Sequence, residues 1–107
     1  MYNIIYHHNL RLGEGLFEKD IDKIKKDLSE NPIEANLFLI TISANSDEQL
    51  DIYDAKFLVQ KYFQKNPPYV IGIAKEKGHA FAIVEELMKE CVEKYNHADL
   101  KAYLIGE

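Results

Sequence analysis

Short β-type segments alternate with longer segments of helical periodicity along this chain, and this alternation limits the fold more than any other feature. The short segments are apolar and rich in β-branched or aromatic residues, whereas the longer ones repeat apolar residues every three or four positions. The pattern predicts strands at residues 2–7, 35–44, 69–74 and 101–105, and helices at residues 16–29, 47–64 and 79–95.

The predicted helices have clear apolar faces. The last of them carries a wide apolar stripe opposite a surface of glutamates and lysines. The middle helix begins with the pattern of a capping box, in which the Ser46 side chain accepts from the amide of Gln49 and the Gln49 side chain reaches back. The strand and helix faces that we assign to the interior predict a core that contains Leu39, Ile40, Ile71, Ile73, Ile83, Val84, Leu87 and Cys91.

Strict alternation of strand and helix predicts an α/β fold, a single-domain βαβαβαβ sandwich over residues 1–107. Right-handed crossovers would give a mostly parallel four-stranded sheet with helices on both faces. The segment at residues 35–44 is apolar on both alternating faces, which is typical of a central strand. A strand order of 2-1-3-4 suits this pattern by analogy with flavodoxin-like sheets.

Composition narrows the classes of function. The net charge of −5 and the dispersed basic residues argue against sequence-independent nucleic-acid binding, which needs clustered lysine and arginine. The apolar runs are far shorter than the roughly 20 residues that cross a bilayer, so we expect no membrane span. One cysteine excludes an internal disulfide, no apolar leader precedes the first strand, and cytoplasmic residence is the expectation.

The sequence predicts neither a cofactor nor a metal site. His7 and His8 are adjacent, so on a strand their side chains should point to opposite faces and cannot both bind one metal. The two glycines Gly13 and Gly15 lack the third glycine of a dinucleotide loop, and a turn before a helix explains them. Cys91 lies on an apolar helical stripe and is interpreted as a core residue.

The candidate functional residues follow the strands predicted at residues 2–7 and 69–74. If these strands are neighbours, ligands would bind where their carboxyl ends part. A glycine turn precedes the last long helix, and its Gly78 is interpreted as a requirement of the backbone geometry. The turn leaves backbone amides without a side-chain cap, which suits an anion. The predicted anion site contains Lys75, Lys77, Gly78 and His79 after one strand and His8 and Asn9 after the other.

Two classes of function remain open at this level, and the sequence does not decide whether the chain is an enzyme. We expect a noncatalytic self-association or protein-interaction domain, because no residue pattern identifies a catalytic site. A homodimer would form through an edge strand or through a helix face that bears exposed tyrosines. The alternative is a protein or enzyme that binds an anion or a phosphorylated small molecule at the turn between residues 75 and 79.

Overall fold

Four strands form one mixed sheet in this protein, whose computed structural model describes residues 2–106. The strand order is β1-β4-β2-β3. The strands are β1 (Ile5–Leu12), β2 (Phe38–Ile42), β3 (Leu50–Asp54) and β4 (Tyr69–Ala74). The helices are α1 (Ile21–Glu30), α2 (Lys61–Lys65), α3 (Lys77–Tyr95) and α4 (Leu100–Gly106), with 3-10 helices at Glu18–Asp20 and Ala55–Val59.

The α/β class and the four-stranded sheet are confirmed, but the mostly parallel arrangement is wrong. Only β1 and β4 pair in parallel, whereas β2 pairs antiparallel with both β4 and β3. The order 2-1-3-4, which counts the predicted strands, is also wrong, because it put the strand at residues 2–7 inside the sheet, whereas β1 is an edge strand. The adjacency of the strands at residues 2–7 and 69–74, which that order contains, is confirmed by the pairing of β1 with β4. The segment predicted as a central strand, residues 35–44, does contain the interior strand β2.

The largest error concerns residues 47–64, which form a hairpin strand and two short helical pieces instead of one helix. Asn45 accepts from the amide of Asp47 at 2.9 Å, which makes a turn where the capping box was predicted. The Gln49 side chain donates to the carbonyl of Ala98 and accepts from the amide of Leu100. The Gln49 side chain therefore binds the start of α4 instead of capping a helix of its own, and β3 begins at the next residue.

The second error concerns residues 101–105, which belong to helix α4 and not to a strand. The Asp99 carboxylate accepts from the amide of Ala102 at 3.1 Å and so caps the first turn. Leu100, Tyr103 and Leu104 are buried, and their spacing of three and four residues puts them on one helical face. The gain from burying that face favours the helix.

Helices lie on both sides of the sheet, and each side has its own core. We call the side covered by α3 and α4 the α3 face, where Ile40 and Ile71 pack against Leu87 and Leu104. The α1 face is covered by α1, α2 and the 3-10 helix Ala55–Val59. Of the predicted core residues, Val84 is half-buried and the others are buried.

Candidate functional site

The parallel pair β1 and β4 brings two loops together at one end of the sheet. Leu12 is paired with Ile73, and the amide of Gly13 donates to the carbonyl of Ile73 at 2.8 Å. A Cβ atom on Gly13 would lie 2.9 Å from the Cβ of Ala74, so glycine permits this close approach. The loop after β1 therefore lies against the start of α3.

His79 is the centre of polar contacts at this end. Its Nε2 lies 3.2 Å from a carboxylate oxygen of Glu14 and 3.3 Å from one of Glu76. Its Nδ1 is buried and has no hydrogen-bond partner among residues 2–106. The Lys75 side chain extends along Gly15, whose φ of +84° requires glycine at that turn.

Four residues of the predicted anion site, Lys75, Lys77, Gly78 and His79, come together here, but the geometry differs from the expectation. The helix begins at Lys77, and the amide of Ala80 donates to the carbonyl of Glu76 at 3.2 Å. The amides that point out of the first turn are therefore those of residues 77–79. Two carboxylates beside His79 oppose an anion at this position.

Gly78 is not needed for the backbone conformation that was predicted for it. It lies inside the first turn of α3, and Gly15 is the glycine with positive φ among the described residues. Within residues 2–106, no atom lies within 4 Å of the position that a Cβ on Gly78 would take. A side chain is therefore compatible with this position, and the interpretation of Gly78 as a geometric necessity was wrong.

His8 and Asn9, the other two residues of the predicted anion site, lie elsewhere. The strand continues past them to Leu12, because residues 7–10 bulge out opposite the single residue Ile71 of β4. The rings of His7 and His8 stack at 4.4 Å, so the expectation of opposite faces fails at this bulge. His8 and Asn9 belong to this bulge, which lies before the loop that contacts the start of α3.

His7 ties this bulge to α4. The side chain of His7 is buried; its Nδ1 accepts from the amide of Asn9 at 3.0 Å. Its Nε2 lies 2.9 Å from the carbonyl oxygen of Leu104 and therefore donates to it. This pair of contacts fixes the tautomer of the ring and gives His7 a structural role.

A cleft of about 400 Å³ lies between β1 and α3 next to His79. Leu12 and Ile83 supply apolar lining, and Glu86 and Glu90 add carboxylates to that of Glu14. Arg11 also lines the cleft, but its one guanidinium stands against three carboxylates. The lining as a whole therefore does not favour a phosphorylated ligand, because like charges repel in a partly enclosed site.

The opposite edge of the sheet, formed by β3, is regular. The amide of Ser43 donates to the carbonyl of Gln49, and the amide of Ala55 donates to that of Leu37. Hydrogen-bonded residues alternate along an antiparallel strand, so the backbone of Asp51 and that of Tyr53 face β2. The backbone N–H and C=O groups of three residues, Leu50, Ile52 and Asp54, point away from β2 to an edge on which no strand of residues 2–106 pairs.

Apolar side chains flank this edge on the α3 face. Leu50 and Ile52 are half-buried there and pack against the core. On α3, one flank faces the cleft beside β1, and the other carries Phe81, Val84, Met88 and Val92 at helical spacing. Phe81 and Val92 are 52% and 44% exposed, so this flank leaves apolar surface uncovered.

Aromatic side chains flank the same edge on the α1 face. A cleft of about 480 Å³ is lined by Asp51, Tyr53, Tyr62 and Phe63, together with residues of β2 and of the segment before β4. The ring of Phe63 stacks on Tyr53 at 5.4 Å and meets Tyr62 edge-on at 5.2 Å. Burial raises the pKa of Tyr53 to about 12.

The sequence interpretation missed this edge because it assigned residues 47–64 to a helix. A short signal was present at residues 50–52, where apolar and acidic residues alternate, although Tyr53 and Asp54 do not continue the alternation. Ile52 and Ala55 also fit a helical spacing with Val59, and the capping-box pattern before them favoured that reading. A single helix over these residues does not predict the shared cleft of Asp51, Tyr53 and Tyr62.

Comparisons with known proteins give no relative for this chain. No protein-family model, no curated protein and no solved structure matches it. Among residues 2–106, no helix combines the length and the apolar character needed to cross a membrane. Within the same residues, no group of three or more His, Cys, Asp or Glu side chains is arranged to hold a metal ion.

Proposed function

We propose that this chain is a noncatalytic protein-interaction module that binds by adding an extended segment of its partner to the edge of β3. The observation that supports this proposal is the outward direction of the backbone groups of Leu50, Ile52 and Asp54. An extended segment beside β3 would pair with two groups on each of these residues. Strand addition to an exposed sheet edge is a common mode of peptide recognition.

The surroundings of the edge support the same proposal. Each backbone hydrogen bond contributes only about 1 kcal/mol net, and association costs several kcal/mol, so side-chain contacts must supply the rest. Side chains of an added segment would alternate between the two faces of the sheet. They would meet Ile52 and the α3 flank on one face, and Tyr53 and Tyr62 on the other.

Anion binding at the start of α3 is the weaker candidate. Lys75, Lys77 and the open amides of the first turn favour an anion there. Glu14 and Glu76 lie within 3.2 Å and 3.3 Å of His79 and oppose it. Replacing Lys75 and His79 by alanine and titrating phosphate by calorimetry tests this candidate, because binding heat in the wild type that the variant lacks would support it.

Selection of peptides from a random library displayed on phage tests the interaction proposal directly. The wild type should enrich peptides, and NMR titration with a selected peptide should shift the amides of Leu50, Ile52 and Asp54. Ile52→Pro removes an outward N–H while leaving the bonds to β2, so it should abolish binding. Leu50→Pro does the same at the first residue of the strand and serves as a second variant.

A matched control uses a proline at the other type of position. The amide of Asp51 faces β2, so Asp51→Pro should destabilise the hairpin itself, which denaturant unfolding detects. Ile52→Pro should lose binding with a much smaller loss of stability. A library selection that enriches nothing, or peptides that bind Ile52→Pro and Leu50→Pro as well as the wild type, would overturn the proposal.

A further inference from the structure

We propose that the segment added to β3 carries a lysine or arginine whose side chain enters the aromatic cleft beside Asp51. This inference rests on the strand addition proposed above and names the chemistry of the partner. It commits to a basic extended segment of another protein.

The register of the edge places the cationic side chain. Asp51 and Tyr53 have their backbone toward β2 and their side chains on the α1 face, where both line the cleft. Side chains that are directly opposite on neighbouring antiparallel strands have Cβ atoms roughly 4.5–5.5 Å apart. Every second residue of the added segment therefore projects onto the α1 face beside these two side chains.

The lining of the cleft selects the chemistry. The carboxylate of Asp51 can pair with a cation, and the aromatic rings of Tyr53, Tyr62 and Phe63 attract cations to their faces. Tyr62 is 52% exposed, so its ring is accessible to an incoming side chain. Lys65 is the basic residue of the lining, but its side chain is exposed and can extend into solvent.

Charge favours a basic segment over a second copy of this chain. Asp47, Glu48, Asp51 and Asp54 lie in or next to β3, while Lys56 is the nearest following cation in the sequence. Pairing of two β3 strands would bring the carboxylates of both copies to one edge, and each copy has a net charge of −5. Such a net charge attracts a basic partner over long range and repels an identical chain.

The test compares phage-displayed random peptides selected by the wild type, by Asp51→Asn and by Asp54→Asn. Both variants remove one charge from β3, but Asp54 has its side chain on the α3 face, and asparagine keeps its cap on the amide of Lys56. Tyr62→Leu removes an exposed ring of the cleft. Fluorescence anisotropy with a synthetic selected peptide, and with the same peptide carrying norleucine for the cation, measures the dissociation constants.

We expect the wild type to enrich lysine or arginine at one position of an alternating apolar segment. Asp51→Asn should weaken the cationic peptide about tenfold, Tyr62→Leu should weaken it by a similar factor, and Asp54→Asn should weaken it less than about threefold. The norleucine peptide should bind the wild type and Asp51→Asn equally.

Three results would overturn the inference. Peptides that bind β3 and are lost in Ile52→Pro, but show no preference for a cation, would leave the proposed function standing and remove this inference alone. An empty selection would remove both. A dimer detected by light scattering and lost in Ile52→Pro would identify a second copy as the occupant, which would contradict the basic partner.

Discussion

The two edges of the sheet differ in how they meet solvent. At β1, four residues bulge against one residue of β4, and the buried His7 ties the bulge to α4. At β3, the pairing with β2 is continuous from Leu50 to Asp54. An edge strand offers a template for another strand only where its outward groups are regularly spaced, and a bulge disrupts that spacing. The comparison therefore favours β3 over β1 as the edge for the proposed strand addition, and it gives the contacts of β1 a structural role.

The clefts beside the two edges differ in their lining and in their position relative to the edge strand. The cleft next to β1 combines apolar lining with Glu14, Glu86 and Glu90, and it lies under α3. The cleft next to β3 has aromatic walls and lies in line with outward backbone groups. Only the second cleft can act together with strand pairing, because alternate residues of an added strand reach it directly.

Replacing His7 should give the largest effect among changes at the β1 edge. His7→Leu leaves the carbonyl of Leu104 and the amide of Asn9 without their side-chain partners. The contact with Leu104 is buried and that with Asn9 is part-buried, so losing both should cost roughly 2–4 kcal/mol of unfolding free energy, measured by urea denaturation. Partner binding at β3 should be unaffected where the variant is folded.

His8→Leu is the matched control, because His8 is the adjacent residue and its side chain is exposed. It should change the free energy of unfolding by less than about 0.5 kcal/mol. Equal losses for His7→Leu and His8→Leu would contradict the structural role of the bulge contacts.

Replacing Gly13, in the loop after β1, and Gly78, in the first turn of α3, by alanine should change the free energy of unfolding in opposite directions. Gly13→Ala places a Cβ 2.9 Å from that of Ala74 and 3.2 Å from that of His79, and such overpacking costs about 1–3 kcal/mol. Gly78→Ala meets open space inside a helical turn and should stabilise by about 0.5–1 kcal/mol. Thermal unfolding of both variants measures the difference, and a stabilising Gly13→Ala would show that the loop does not approach β4 as closely as described.

The sequence was sufficient to predict a strand or helix where periodicity alone determines that element. The apolar run at Tyr69–Ala74 and the stripe on Lys77–Tyr95 became β4 and α3, because burial of a long periodic face outweighs local preferences. Strand neighbours were not predictable in this way. Pairing of β4 with β2 depends on contacts between residues far apart in sequence, which a one-dimensional pattern does not contain.

The candidate site at β3 was missed because a long-range contact determines the local structure. Ser46 and Gln49 match a capping box, but Gln49 bonds α4, and the turn at Asn45 starts a hairpin. The competing strand is only five residues long and its alternation stops at Ile52, which is too short for a periodicity argument. A correct assignment of α4 from the spacing of Leu100, Tyr103 and Leu104 would have supplied the missing partner.

The last expected effect is absent at neutral pH and treats the two edges alike, because each edge strand carries one half-buried tyrosine. Burial raises the pKa of Tyr6 on β1 and of Tyr53 on β3 from 10.0 to about 12. The folded state therefore holds both phenol protons more tightly than the unfolded chain. Stability should be complete below about pH 10 and should fall as the pH rises from about 10 through 12.

Urea unfolding across this alkaline range checks the expectation with two variants. Tyr6→Phe and Tyr53→Phe each remove one phenol, so each should make the alkaline fall in unfolding free energy shallower, and the double variant shallower still. At neutral pH the phenols are protonated in both states, and measurements there separate the cost of the lost hydroxyl from the titration. If only one of the two variants changes the slope, burial at the other edge is weaker than described; if neither does, the alkaline instability has another source.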